Sequence, residues 1–542
     1  MDIISEVDRC DTPEDGRRLI TESPSSSTRG FRWKTFLRFV GPGWLMSLAF
    51  IDPGNMEADL QVGTFTSFKF AWVILASHVM GLLIQNFASK LGVVSGKSLA
   101  TVCRENYPTY MNWVLWFMTE LAIIGADIQE VVGSSIALNV LFGTPLWLGC
   151  VLTALMTVFF LVLYHLRGMK LIEYFVVTMV CVIFVCFSIN FAATRPPIGE
   201  LLDGLVIPRM PSGVSETTQV VALIGSVVMP HNLFLHSNLI ARKNLDRKSS
   251  WCISQGIKYF FFDSVFALTF SFLINIALEG SFAQGFFSTH CASNPGSPLG
   301  CDPSIISPDI GLCLLKDCSC VTPSGLAGYC GTIGLSNAGS SLASILPENA
   351  PILFGLGLLA AGQASTLSGT MAGQYVMEGF LELRIPFWLR MIITRSVALV
   401  PAIAVSLMQF EFQQMDNLNQ FINVLQSIQL PFALLPLLHF ACDRTVMSFW
   451  AVSGFQRLVG WLIAFGLIGV NVFLVHQRYV WIKEAWARNM CASVSISYIL
   501  ILIWIIREDM RQFLRFMTGR GASPVMAAVM ALPSSGDVYR KL

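Results

Sequence analysis

The chain has 542 residues, 54% hydrophobic and 13% charged, with a mean hydropathy of +0.62. It is too apolar and too poor in charge for an ordinary soluble protein, and a net charge of +1 gives no basis for a nucleic-acid partner. No G-x-x-x-x-G-K-[ST] loop occurs, so ATP hydrolysis is not its energy source, and nothing marks it as an enzyme or calls for a resident cofactor. The composition describes an all-α polytopic protein whose first partner is the lipid bilayer.

Residues 1–34 are polar, Ser-rich and charged, and read as a disordered cytoplasmic tail without a signal peptide. The uncharged stretches 145–164 and 174–194 each reach the roughly 20 residues a helix needs to cross the hydrocarbon core. The same criterion predicts about twelve spans: 36–67, 69–94, 111–142, 145–165, 169–194, 216–241, 253–284, 352–380, 386–409, 415–441, 455–476 and 486–507. The membrane domain then covers 35–509, with a second cytoplasmic tail over 510–542.

With the N-terminus inside, only Lys69, Arg195, Arg209, Lys316, Arg478, Lys483 and Arg488 of the 35 Lys and Arg fall outside, so the positive-inside rule puts both termini in the cytoplasm. Asp15-Gly16-Arg17-Arg18-Leu19-Ile20 resembles an acidic dileucine sorting signal, and Tyr539-Arg540-Lys541-Leu542 a tyrosine-based one. Read as signals, they would engage sorting adaptors and select an endosomal, lysosomal or vacuolar membrane over the plasma membrane; the rival reading is an uninformative tail. Six of the fourteen cysteines, Cys291, Cys301, Cys313, Cys318, Cys320 and Cys330, crowd the loop 287–335, which this topology makes extracytoplasmic. An even number in an oxidising compartment predicts up to three disulfides, with the pairing open. A metal-collecting loop is the weaker alternative, since only His290 accompanies them.

Two spans carry helix breakers at membrane depth: Asp52-Pro53-Gly54-Asn55 in the first and Met229-Pro230-His231-Asn232 in the sixth. Unwound backbone in the hydrocarbon region is tolerated only where protein buries it or it lines a cavity. Each break lies in the first span of a run of five, the position expected of inverted repeats (about 36–194 and 216–441) that enclose a substrate site at the midplane. Pro53 and Gly54 should free carbonyls near residues 49–52, and Pro230 a carbonyl at Ser226 or Val227. Asp52 adds an anionic oxygen, Asn55 a neutral oxygen and Met229 a thioether. The sulfur discriminates, because Mg²⁺ and Ca²⁺ prefer all-oxygen shells whereas later transition ions accept it. Asp52 also suits a helix cap, a role compatible with ligation. A charge at the bilayer centre costs roughly 2.5 to 3.5 kcal/mol and marks function by default.

Few intramembrane groups can carry protons: Glu120, Asp127 and Glu130 in the third span, His231 and His236 in the sixth and Arg395 in the ninth. Asp127 and Glu130, three residues apart, lie near one helix face. Asp127 with Arg395 as a structural ion pair, and the histidines as packing residues, are the bland alternatives. Metal binding favours the ionised form of Asp52 and would release its proton into such a relay.

The two breaks, extended through Met56-Glu57-Ala58-Asp59-Leu60-Gln61 and Leu233-Phe234-Leu235-His236-Ser237, resemble the paired motifs of the Nramp divalent-metal transporters. Gly125 to Glu130, Ala361 to Thr366 and Gln426 to Pro431 also match, and the similarity runs from about 35 to 475. The resemblance implies a LeuT-like fold with two extra helices, and proton-coupled symport of Mn²⁺ or Fe²⁺, with Co²⁺, Cd²⁺ or Zn²⁺ as further candidates, into the cytosol. It implies metal ligation by Asp52, Asn55, the carbonyl of Ser226, Met229 and, in some states, Gln429, and a proton network of Asp52, His231, Glu130, Asp127 and Arg395. Family members often carry alanine at the position of Ser226, a change a backbone ligand survives. The long cysteine-rich loop departs from the shorter bacterial pattern. A Na⁺-coupled organic solute carrier of similar fold leaves Met229 unexplained. A non-transporting receptor of the kind in plant ethylene signalling would carry a large soluble domain after the spans, where only about 35 residues follow Arg507.

Overall fold

The computed structural model describes residues 33–517 except 168, 295–297, 306–312, 383–385, 408–412, 453 and 482–483. Both tail motifs and the side chain of Arg395 lie outside the described residues. The chain divides into two compact units between Val480 and Trp481.

The first unit begins with α1 (Trp33–Phe39), α2 (Pro42–Leu48) and α3 (Pro53–Thr66). Gly41 between α1 and α2 has φ 142°, a backbone that an L side chain rarely adopts, so the expected first span, 36–67, opens on two separate helices rather than one. Next come α4 (Ala71–Ser95), α5 (Leu99–Asn106), α6 (Thr109–Phe142), α7 (Leu146–Arg167), α8 (Met169–Thr194) and the short α9 (Ile198–Val206). The second half runs α10 (Val214–Val227), α11 (Pro230–Ala241), α12 (Ser250–Phe286) and α13 (Thr289–Ala292). Strands β1 (Gly300–Asp302), β2 (Ser319–Val321) and β3 (Ala327–Gly331) then precede α14 (Leu335–Ile345) and α15 (Ala350–Leu381). The remaining helices of this unit are α16 (Phe387–Leu407), α17 (Gln413–Gln429), α18 (Pro431–Cys442), α19 (Arg444–Met447) and α20 (Phe455–Trp481). The second unit holds α21 (Ala485–Met517), whose stretch apolar enough to cross a membrane is Ala485–Arg507, against 486–507 expected.

Among the described residues nine stretches are long and apolar enough to cross a membrane, against about twelve expected. The first expected span is missing from that number because it is two half-helices of 7 and 14 residues. The fourth is represented by the shorter apolar piece Leu146–Met156, and several side chains of α16, the ninth, are outside the described set.

The core centres on α6 and α15, where Val131, Val132 and Ile136 meet Leu358, Ala361 and Ala364. Small residues on α15 permit this approach: a Cβ on Gly362 would collide with the Ser134 hydroxyl. On α20, by contrast, Leu458, Leu462, Phe465 and Phe473 are exposed, an apolar surface suited to lipid and unsuited to water.

The cysteine-rich segment is more ordered than a Gly, Pro and Ser-rich loop suggests. Its strands form an antiparallel sheet in the order β1-β3-β2, with Cys301 opposite Cys330. Strands of three to five residues give almost no periodic signal, and covalent links hold them: Cys291–Cys330, Cys301–Cys320 and Cys313–Cys318. The sulfurs of Cys291, Cys320 and Cys330 lie within 4.8 Å of one another, but all three are committed to bridges. Replacing Cys301 and Cys320, 19 residues apart, by serine is expected to cost the segment about 2–3 kcal/mol through lost loop constraint. Limited proteolysis of 300–331 should then accelerate; unchanged resistance would contradict the bridge's role.

Candidate metal centre

Pro53 cannot donate to the carbonyl four residues before it, and the helix duly ends at Leu48 and restarts at Pro53. Asp52 caps the restart, its Oδ1 accepting from the Asn55 amide at 2.8 Å and from Asn55 Nδ2 at 2.7 Å. Asn55 Nδ2 also donates to the Ala49 carbonyl at 3.1 Å. Those bonds fix the amide's orientation and leave Asn55 Oδ1 buried without a donor, as a cation ligand should be.

The second break repeats this logic. α10 ends at Val227, Val228 leaves the helical region and Met229 is extended (φ −80°, ψ 138°) before Pro230 opens α11. Without an amide hydrogen on Pro230 the Ser226 carbonyl has no helical partner, while the Ser226 hydroxyl donates back to Leu223. Ser226 and Met229 are buried.

A third interruption escaped the sequence reading. The tenth expected span, taken as continuous, stops at Gln429 and resumes at Pro431. Gln429 ends the first piece, buried, with neither side-chain Nε2 nor Oε1 hydrogen-bonded. Pro431 was the available signal.

Two independent contacts bring the first two breaks to one level. Gly81 on α4 faces both the Phe50 ring and Val228. On the opposite side Asn423 of α17 donates to the Gly54 carbonyl at 2.9 Å, and its own carbonyl abuts Gly225. Asn423 thus touches the residue before Asn55 and the residue before Ser226. Gln129 of α6 completes this wall, packing on Gly54 and donating to Asn423 Oδ1 at 2.8 Å.

α12 braces the first span with a polar stripe. Asp263 Oδ2 accepts from the Gly43 amide at 2.6 Å, Ser271 donates to the Ser47 carbonyl at 3.2 Å, and Asn275 Nδ2 donates to the Phe50 carbonyl at 2.9 Å. These positions share one helix face. Asn275 supplies a donor to the Phe50 carbonyl at the break, while Asp263 satisfies an amide at the start of α2; such partners make unwound backbone tolerable in a membrane.

The expected proton carriers divide into two groups. Asp127 and Glu130 are buried on α6 and converge on Gly369 of α15, with Glu130 Oε1 3.1 Å and Asp127 Oδ1 3.3 Å from where its Cβ would sit. The same helix reaches the first break, since Gly133 lies against the Pro53 ring. His231 and His236 are buried on α11, which packs on α6 and α15; His231 Nδ1 and both His236 nitrogens have no hydrogen-bond partner. Glu120 is paired with Arg390 of α16 at 2.5 Å, with Arg390 only 1% exposed. Sequence reading named Arg395 on this helix and passed over Arg390, although both are arginines in one apolar segment.

After the cysteine-rich segment, α14 presents its N-terminus to two carboxylates. Glu57 Oε2 accepts from the Leu335 amide at 2.6 Å, and Asp416 accepts from the Ser336 amide at 3.1 Å and its hydroxyl at 2.5 Å. Gln61 donates to Glu57 and accepts from Gln420 at 3.0 Å. One short helix thereby ties α3 to α17 above the breaks.

Residues 43–477 match the family model described as natural resistance-associated macrophage protein-like. The metal transporter Nramp2 of Oryza sativa subsp. japonica is 38% identical over 486 residues, covering 88% of this chain and 85% of that one. Among solved structures, the Eremococcus coleocola manganese transporter superposes with a TM-score of 0.72 at 28% identity, over 90% of this chain and 97% of that one. A nucleobase-cation-symport-1 family transporter in a closed conformation matches with a TM-score of 0.50 at 13% identity, over 86% and 93%, and speaks to the fold alone, which is LeuT-like. On this agreement of motif, fold and broken-helix geometry, the chain belongs to the Nramp family.

Proposed function

We propose that this integral membrane protein, a metal transporter and not an enzyme, is a proton-coupled symporter that carries divalent transition ions, Mn²⁺ and Fe²⁺ foremost and Co²⁺, Cd²⁺ or Zn²⁺ as further cargo, into the cytosol. The observation that carries this reading is the meeting of the two breaks at one depth, with Asn423 touching both and an unpartnered Asn55 Oδ1 beside the Asp52 carboxylate. Asp52, Asn55, the Ser226 carbonyl and Met229 supply three kinds of oxygen and one sulfur, a mixed set suited to Mn²⁺ and later ions over Mg²⁺ and Ca²⁺. Gln429, at the third break, is the ligand with the greatest freedom to join or leave.

The protons take the α6 side. Asp52 loses its proton when the metal binds, and Glu130 and Asp127, one helix away behind Pro53, are the nearest acids of the α6–α15 interface, with His231 and His236 on α11 bordering it. Half-helices that end at the ion allow either side to open around it. Both termini are placed in the cytoplasm on the charge bias.

Mn²⁺ uptake into proteoliposomes with internal pH recorded tests the reading. Uptake should accelerate with an acidic exterior and acidify the lumen; metal flux without acidification would remove proton coupling, and no flux would remove the transport reading. In the same assay Met229→Ala should shift the preference for Mn²⁺ over Ca²⁺ by about tenfold, equivalent to ~1.4 kcal/mol, through loss of the soft ligand. Unchanged Ca²⁺ exclusion would assign selectivity elsewhere.

A further inference from the structure

Asp59 on α3 and Glu279 on α12 take no part in the site above. Both are 0% exposed, and none of their four carboxylate oxygens meets a hydrogen-bond donor. Buried carboxylates are ordinarily paired or bound to a cation, because an uncompensated charge in a low-dielectric interior is costly. Neither is in an ion pair among the described residues.

The surrounding geometry gathers oxygen. α3 packs against α12, and Gly63, one turn after Asp59 on the same face, lies against the Glu279 carbonyl and the Ala283 amide. Asp59 and Glu279 therefore front one interface. Helical side chains lean towards the N-terminus of their own helix, which carries the Glu279 carboxylate back over the turn that holds Asn275. Asn275 is also fully buried; its Nδ2 is committed to the Phe50 carbonyl, so its orientation is fixed and Oδ1 is left without a donor. That orphaned amide oxygen is a second observation, separate from the acids, that a ligand is missing. Asp59 lies within electrostatic reach of both Glu279 and Asp52.

We propose that Asp59, Glu279 and Asn275 form a second divalent-cation site, built of oxygens only, beside the Asp52 site and displaced towards the extracytoplasmic end of α3. Two carboxylates and an amide oxygen match a hard ion such as Mn²⁺ or Ca²⁺, and the set contains no sulfur. An ion held there would engage the four carboxylate oxygens and the Asn275 Oδ1 that the fold otherwise leaves without a hydrogen-bond donor.

Mn²⁺ binding to the full chain in nanodiscs, measured by equilibrium dialysis at saturating metal, tests this. Wild type should bind two ions per chain, Asp59→Asn with Glu279→Gln one, and Asp52→Ala with Met229→Ala one. Should the paired variant misfold, Asp59→Asn alone, which conserves shape, should weaken one of the two ions by tenfold or more and leave the other unchanged. A wild type that binds one ion, lost in the Asp52 variant and kept in the Asp59 variant, overturns the second site and leaves the proposed function standing. One ion lost with Asp59 and kept without Asp52 does the reverse. A carboxylate pair that merely shares a proton would leave the stoichiometry at one and alter only its pH dependence, which also overturns the proposal.

Discussion

Asp52→Ala is expected to lower metal uptake by at least about 100-fold, beyond the 10- to 100-fold that even groups supporting a metal ligand typically cost. The substitution removes the carboxylate at the meeting point of the breaks, which is also the acceptor that orients Asn55. Because Asp52 is also the N-cap of α3, alanine forfeits about 1 kcal/mol of helix stability, and a folding defect would mimic a lost ligand. Asp52→Asn separates the two: it retains an acceptor for the Asn55 amide and should fold with wild-type thermal stability in detergent, yet transport no Mn²⁺. Wild-type flux in either variant would remove Asp52 from the site.

Arg390→Met should destabilise the protein by about 3–5 kcal/mol, the usual result of removing one member of a buried ion pair. Arg390 is almost fully enclosed, bonded to Glu120 at 2.5 Å and stacked on Gly373, so its removal strands a carboxylate. Pairing it with Glu120→Gln removes the stranded charge and should recover most of the loss, since a neutral pair of similar volume costs little. Thermal inactivation of the two variants gives the comparison; a single variant within 1 kcal/mol of wild type would show that solvent or another cation already compensates Glu120.

Much of this architecture was legible because membranes impose few solutions. Span length follows from bilayer thickness, and a proline beside a carboxylate at mid-depth is informative because its alternatives are so costly. Asp52, Asn55 and Met229 were therefore visible as local exceptions to an apolar background. The third interruption was not, because Leu430 keeps helical dihedrals (φ −53°, ψ −40°) and the ladder fails there only through Pro431. Arg390 is one of several arginines in and around an apolar segment, and its packing on Gly373 is a tertiary fact that the letters do not carry. The roles of Glu57 and Asp416 depend on α14, which lies more than 250 residues from Glu57 along the chain, so nothing near either acid betrays its partner. The strands of the cysteine-rich segment escaped for the opposite reason: they are too short to leave a period.

The stripe on α12 has a thermodynamic corollary. The bonds that join Asp263, Ser271 and Asn275 to α2 and the residues leading into the first break form a seam that must part if α2 swings away from α12. At about 1 kcal/mol net for each such bond, parting costs on the order of 3 kcal/mol, enough to hold the parted form near 1% of the population. Parting the seam would then be an uphill step, and loosening it by a single bond should raise the resting occupancy of the parted form severalfold.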